Sequence, residues 1–241
     1  MALGVLLFKF KTVLSMLFSI WLYSYRWGWP FAIGFVLLIF VHEMGHVIAA
    51  KWLGIPVSAP LFIPFVGAAI AMKNNPRDAW SEALMAYGGP LAGGAGALAV
   101  WGVALQQQSP FLMALASTGF GLNLFNLIPV PPLDGGRICA AISPWFWIIG
   151  LALLGTALFF LHLGTMAVVI IVLVVYLALP RLRQVFFQRN SPAMQAYYGT
   201  GLSNRLTMAL MYVGLILALL LGLWDATQHL HSYQELGLQG V

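Results

Sequence analysis

His42, Glu43 and His46 stand in the order His-Glu-x-x-His, written out as His42-Glu43-Met44-Gly45-His46 inside an otherwise apolar run. Residues four apart share one face of a helix, so imidazoles at 42 and 46 can converge on a single metal ion. Glu43 beside them is then placed to act on water at that ion. An ionisable side chain at the middle of a bilayer costs about 2.5–3.5 kcal/mol on insertion scales and marks function by default. A cation would stabilise the Glu43 carboxylate and leave both histidines neutral as ligands. Two packed core histidines are the bland alternative.

Catalytic zinc takes three protein ligands and keeps a fourth position open. A soluble metzincin would place a third histidine six residues beyond the second, but Trp52 stands there and Ala49 replaces the expected glycine, which excludes that class. The acidic residues are Glu43, Asp78, Glu82, Asp134, Asp225 and Glu235. Asp78 and Glu82 fall in or beside a polar connection, and Asp225 and Glu235 in a tail. Asp134 differs, because it ends the stretch Asn126-Leu-Ile-Pro-Val-Pro-Pro-Leu-Asp134-Gly-Gly-Arg137 at the end of an apolar span. Pro129, Pro131 and Pro132 remove backbone donors and disfavour helix, which frees the chain to turn Asp134 toward a metal. Gly135 and Gly136 allow close backbone approach. The alternative for Asp134 is a helix cap paired with Arg137. No serine or cysteine arrangement suggests a covalent nucleophile, and Cys139 reads as a small core residue.

The elements that must position these residues are membrane helices. Of the 241 residues 61% are hydrophobic and 7% charged, against roughly 25% charged in a soluble domain. The net charge of +5 comes from cations scattered at the ends of apolar runs, including the basic, aromatic run at 181–189, which is the pattern of a membrane protein and argues against a nucleic-acid partner. Charged and Pro-rich points divide the chain into spans of about 5–25, 31–50, 83–106, 111–130, 145–162, 164–180 and 206–224. The first of these either spans or lies at the interface. The expected fold is an all-α membrane protein, a polytopic bundle of six to seven transmembrane helices forming one domain over 1–241, with a core at 31–140 and further helices at 1–30 and 141–225. Val57 to Met72, interrupted by Pro60 and Pro64, reads as a short re-entrant β-hairpin or a surface plug. Gly88-Gly89-Pro90 and the glycines after it read as close helix packing. Lys51, Lys73, Arg77, Arg137, Arg181, Arg183, Arg189 and Arg205 alternate onto one side, which the positive-inside rule makes cytoplasmic; Lys9 and Lys11 join them if the first segment spans, and Arg26 is the exception.

His42-Glu43-Met44-Gly45-His46 together with Asn126-Leu-Ile-Pro129 and Asp134-Gly135 resembles the paired signatures of the site-2 proteases, over about residues 31–140. The resemblance implies an intramembrane zinc metalloprotease with one Zn2+ held by His42, His46 and Asp134, Glu43 as general base, and Asn126 on the scissile carbonyl or its oxyanion. It implies substrates that are single-span membrane proteins, such as an anti-sigma factor or a membrane-tethered regulator, or signal-peptide remnants. It further implies an exposed strand edge at 57–72 and a bacterial inner membrane with the site toward the cytoplasm. The chain differs from larger relatives in carrying neither a PDZ nor a CBS module. Asn123, one turn before Asn126, is the less certain of the two, and interhelical amide bonds are the alternative for both. His162, His229 and His231 read as interfacial or incidental. A metal transporter would need more polar residues lining the outer half, and an idle scaffold would lack Glu43 or a ligand.

Overall fold

The structure, a computed structural model, describes residues 2–58, 60–64, 67–69, 76–160, 162–188 and 190–236. Val66, Ile70 to Met72, Lys73 and Arg189, on which sequence expectations bear, lie outside the described residues. The elements run α1 (Ala2–Trp27), α2 (Trp29–Trp52), β1 (Leu61–Ile63), β2 (Gly67–Ala69), α3 (Ala79–Gln107), α4 (Pro110–Asn126), α5 (Asp134–Ile142), α6 (Phe146–Phe160), α7 (Thr165–Phe187), α8 (Pro192–Tyr198) and α9 (Leu202–Glu235). Among the described residues four helices, α2, α3, α7 and α9, are long and apolar enough to cross a membrane. The predicted spans coincide with helices, with boundaries that differ for physical reasons. Pro180 sits inside α7 without ending it, so that helix runs seven residues beyond the expected stop at 180. Membrane helices tolerate such a proline where neighbouring groups satisfy the freed carbonyl. The span expected to reach 130 ends at Asn126, where the proline-rich stretch begins. The expected tail from Asp225 is helical through Glu235, and two short helices, α5 and α8, add to the expected set.

The chain divides into two compact units, residues 1–74 with 88–124 and 216–241, and residues 75–87 with 125–215. In the first, α2 starts at Trp29 behind Gly28 with Pro30 in its first turn, and stops where Gly54 takes φ 69°, a left-handed backbone suited to glycine. Its core joins Tyr23 of α1, Ala32, Val36 and Ile39 of α2 and Phe62 of β1. The two strands pair antiparallel, Leu61 with Ala69, Phe62 with Ala68 and Ile63 with Gly67. The Phe62 N–H donates to Ser15 Oγ at 3.1 Å, and Thr12 Oγ1 donates to the Pro60 carbonyl at 2.8 Å, so β1 is fastened to α1. Helices α2 and α3 touch through Gly45 and Gly88: a Cβ on Gly88 would lie 2.6 Å from the Gly45 carbonyl oxygen, and one on Gly45 would collide with the Gly88 backbone. That is the small-residue contact by which membrane helices approach closely.

In the second unit a core of Val130, Leu133, Leu154, Ile171, Val174 and Ala178 gathers the proline-rich stretch, α6 and α7. The stretch is held by its own turn bonds, Val130 N–H to the Ile128 carbonyl at 2.7 Å and Leu133 N–H to the Val130 carbonyl at 3.0 Å. Tyr212 of α9 donates to the Leu127 carbonyl, and Trp147 Nε1 donates to the Gly136 carbonyl at 2.8 Å.

Candidate metal centre

Helix α2 carries His42, Glu43 and His46, all buried. The one-turn spacing brings His42 Nε2 and His46 Nε2 to 3.1 Å from each other, with the rings at 81°. Two nitrogens bound to one tetrahedral zinc at about 2.0–2.1 Å stand roughly 3.4 Å apart, so the pair is close to ligand geometry. The other face of His42 is fixed: its Nδ1 lies 2.8 Å from Asn123 Oδ1, while Asn123 Nδ2 donates to the Gly119 carbonyl at 2.8 Å. That second bond sets which way the amide faces, so Nδ1 of His42 is the N–H donor and Nε2 keeps its lone pair. This is the outer-shell arrangement by which a metal-binding imidazole is oriented. Across from the pair runs α3 at Gly89, where a Cβ would collide with His46 Nε2 and lie 2.9 Å from His42 Nε2. Glycine there leaves the space between backbone and imidazoles open.

Asp134 is buried in the first turn of α5. Its helix starts without a side-chain cap from Leu133, and Arg137 NH1 lies 3.7 Å from Asp134 Oδ1, the i,i+3 ion pair named as part of the alternative reading. Gly135 and Gly136 pass against the backbones of Leu127 and Val130, where a Cβ would clash. His42 and His46 in the first unit offer imidazole nitrogens and Asp134 in the second a carboxylate, each of them buried, and two imidazoles with a carboxylate are a donor set of catalytic zinc.

The remaining candidates separate from this group. His229 Nδ1 is 3.4 Å from Asp225 Oδ2, one turn away on α9, and His162 is exposed. Cys139 is buried and forms no disulfide, and burial pushes its thiol up to about 12, which makes it inert. Asn126 ends α4 and is half-buried. Three contributions are not evident from the sequence. Asn123 orients His42, and an amide within an apolar span is the signal that points to it. Gly89 reads in the sequence only as part of a packing motif. Glu82 stands beside the polar connection, in the first turn of α3, but with its side chain only 1% exposed.

Comparison with known proteins agrees with this geometry. The model of peptidase family M50 matches residues 30–111 and 103–147. A zinc metalloprotease of Methanocaldococcus jannaschii is 33% identical over 129 residues, 49% of this chain and 35% of that one. A Synechocystis sp. protein provisionally named a zinc metalloprotease is 31% identical over 126 residues, 48% and 33% of the two chains. Rip3 of Mycobacterium tuberculosis, provisionally named in the same way, is 29% identical over 111 residues, 43% and 28%. The chain spans about a third of the length of these relatives. Motifs, family match and relatives agree in making the chain similar to the M50, or site-2 protease, family of zinc metalloproteases, and its apolar helices are those of an integral membrane protein.

Proposed function

We propose that the chain is an intramembrane zinc endopeptidase that cleaves membrane-spanning segments of anchored substrates, as one metalloprotease domain over residues 1–241. His42 and His46 would hold the ion through their Nε2 atoms and Asp134 through a carboxylate oxygen. The observation that carries this is the imidazole pair on α2, with Nε2 atoms 3.1 Å apart and His42 locked by Asn123 into the tautomer that presents the Nε2 lone pair to an ion.

A zinc ion so held lowers the pKa of water that it binds and polarises a carbonyl. Glu43 accepts the proton from the attacking water on a carboxylate oxygen and returns it to the leaving amine nitrogen. Glu43 is buried, where charge interactions are stronger than in bulk water. Asn126 donates from Nδ2 to the oxygen of the scissile carbonyl as negative charge develops there.

A helical substrate must unwind before its carbonyl is accessible, and the β-hairpin supplies a place for the extended chain. In an antiparallel pair the backbone groups of alternate residues point inward and outward. The Phe62 N–H points away from β2, to Ser15, so its partner Ala68 directs its own N–H away from β1. We place an incoming substrate strand on that outer edge of β2, with the hairpin re-entering the membrane. Substrates are single-span proteins such as an anti-sigma factor or a tethered regulator, or signal-peptide remnants. The cation distribution supports a site toward the cytoplasm, and the family resemblance a bacterial inner membrane.

The test is Glu43→Gln in the full chain, co-expressed with single-span membrane proteins. Cleavage should vanish, a loss of at least about 100-fold, with zinc content unchanged. Cleavage at the wild-type rate would remove Glu43 from the reaction.

A further inference from the structure

Between Asp134 and Asp225 the sequence holds Arg137, Arg181, Arg183, Arg189 and Arg205 and not one acidic residue. The same stretch folds around a cavity of about 430 Å³. Its wall takes Ser143 and Trp145 from the connection between α5 and α6, Asn190 from behind α7, Gln195 and Tyr198 from α8, and Arg205 from the first turn of α9. All of these lie in the second unit, and none of the residues proposed to hold zinc is among them. The carboxylate whose partners come from this region, Glu82, is already shared. Its Oε1 accepts from Arg137 Nε at 3.1 Å and from Arg181 NH2 at 2.8 Å, and its Oε2 accepts from Tyr197 OH at 2.5 Å. Arg205 has no carboxylate within ion-pair distance among the described residues.

Arg205 is held in place without being neutralised. Its Nε donates to the Thr200 carbonyl at 2.8 Å and its NH2 to the Tyr198 carbonyl at 3.3 Å, which fixes the guanidinium in the turn between α8 and α9 and leaves its other N–H groups without an acceptor among the described residues. A planar fork so fixed is suited to a bidentate hold on an oxyanion. Burial raises the Tyr198 hydroxyl above its ordinary range, so it stays a protonated donor, and Asn190 and Gln195 add amide N–H groups. Depth selects the oxyanion. The cavity sits where α7 ends and α9 begins, two helices long enough to cross a membrane, which is the level at which a bilayer spanned by them places its headgroups. Trp145, exposed at its edge, has the amphipathic ring found at that level. Phosphate is the anion that a bilayer presents there, and basic pockets between membrane helices take lipid headgroups. We propose that this cavity is a binding site for a phosphate group, brought to that depth by a phospholipid headgroup, with Arg205 as its charged anchor.

The test is native mass spectrometry of the full chain in detergent, titrated with phosphatidylglycerol or with diacylglycerol of the same acyl chains, beside thermal unfolding of the same samples. The first phosphatidylglycerol should bind about tenfold or more tighter than diacylglycerol, the scale of hydrogen bonds to a charged group. Arg205→Met should remove that preference. Gln195 is exposed on α8, so Gln195→Glu keeps the fold while setting a negative charge in the lining. It should weaken phosphatidylglycerol binding by about tenfold, through like-charge repulsion, and leave diacylglycerol unchanged; it carries the test if Arg205→Met does not fold. Millimolar inorganic phosphate alone distinguishes the source. No stabilisation by it supports a headgroup, and stabilisation equal to that by phosphatidylglycerol supports the same phosphate site filled from solution. Equal binding of the two lipids, or wild-type phosphatidylglycerol binding in Gln195→Glu or in a folded Arg205→Met, would overturn the proposal.

Discussion

At the scale of single residues, the chemistry turns on which nitrogen of His42 carries its proton. A free imidazole exchanges tautomers, and only one of them offers Nε2 to a metal. Asn123 decides it, since its carbonyl oxygen meets Nδ1 and its amide nitrogen is committed to the Gly119 carbonyl. Asn123→Ala should therefore lower zinc affinity about 10- to 100-fold while leaving the fold intact. Chelator competition measures the first and thermal unfolding the second; a variant with wild-type affinity would show that the amide is only a helix contact. The proposed ligands are legible in the sequence because His-Glu-x-x-His has helical spacing and Asp134 stands in a motif of its own. The roles of Asn123 and Glu82 are not, because they depend on partners 81 positions away in one case and 55 to 115 in the other. No local pattern specifies such pairings.

At the scale of elements, each strand of the hairpin has one edge turned away from the other strand. β1 is bonded to α1 through Ser15, which leaves Ala68 of β2 as the residue whose N–H faces away from its partner strand. Ala68→Pro removes that donor without removing the inward bonds of Gly67 and Ala69. We expect cleavage to fall by about tenfold or more, a loss on the scale of one or two backbone hydrogen bonds, with zinc content unchanged. Full activity in this variant would discard strand addition on β2. The existence of the long helices and of the hairpin can be read from runs of apolar residues and from Pro60 and Pro64. Helix ends are less legible, because Pro180 is accommodated within α7 and because α5 is set by packing. Its glycines lie against the backbones of Leu127 and Val130, and Trp147 binds the Gly136 carbonyl.

At the scale of the whole molecule, the chain is a membrane protein with few ionisable groups in apolar surroundings. Composition points to the membrane, with 7% charged residues. Paired motifs point to the family, and the family match covers the same stretch, residues 30–147. What composition and motifs do not carry is the selection of a substrate, which depends on the surface that an unwound segment meets. The central claim is that His42, His46 and Asp134 hold one zinc ion, and anomalous X-ray diffraction at the zinc edge tests it most directly. Crystals of the full chain should show a single strong peak about 2.0–2.2 Å from His42 Nε2, His46 Nε2 and an Asp134 carboxylate oxygen. A zinc-loaded chain with no peak there, or with the peak on other side chains, would contradict it.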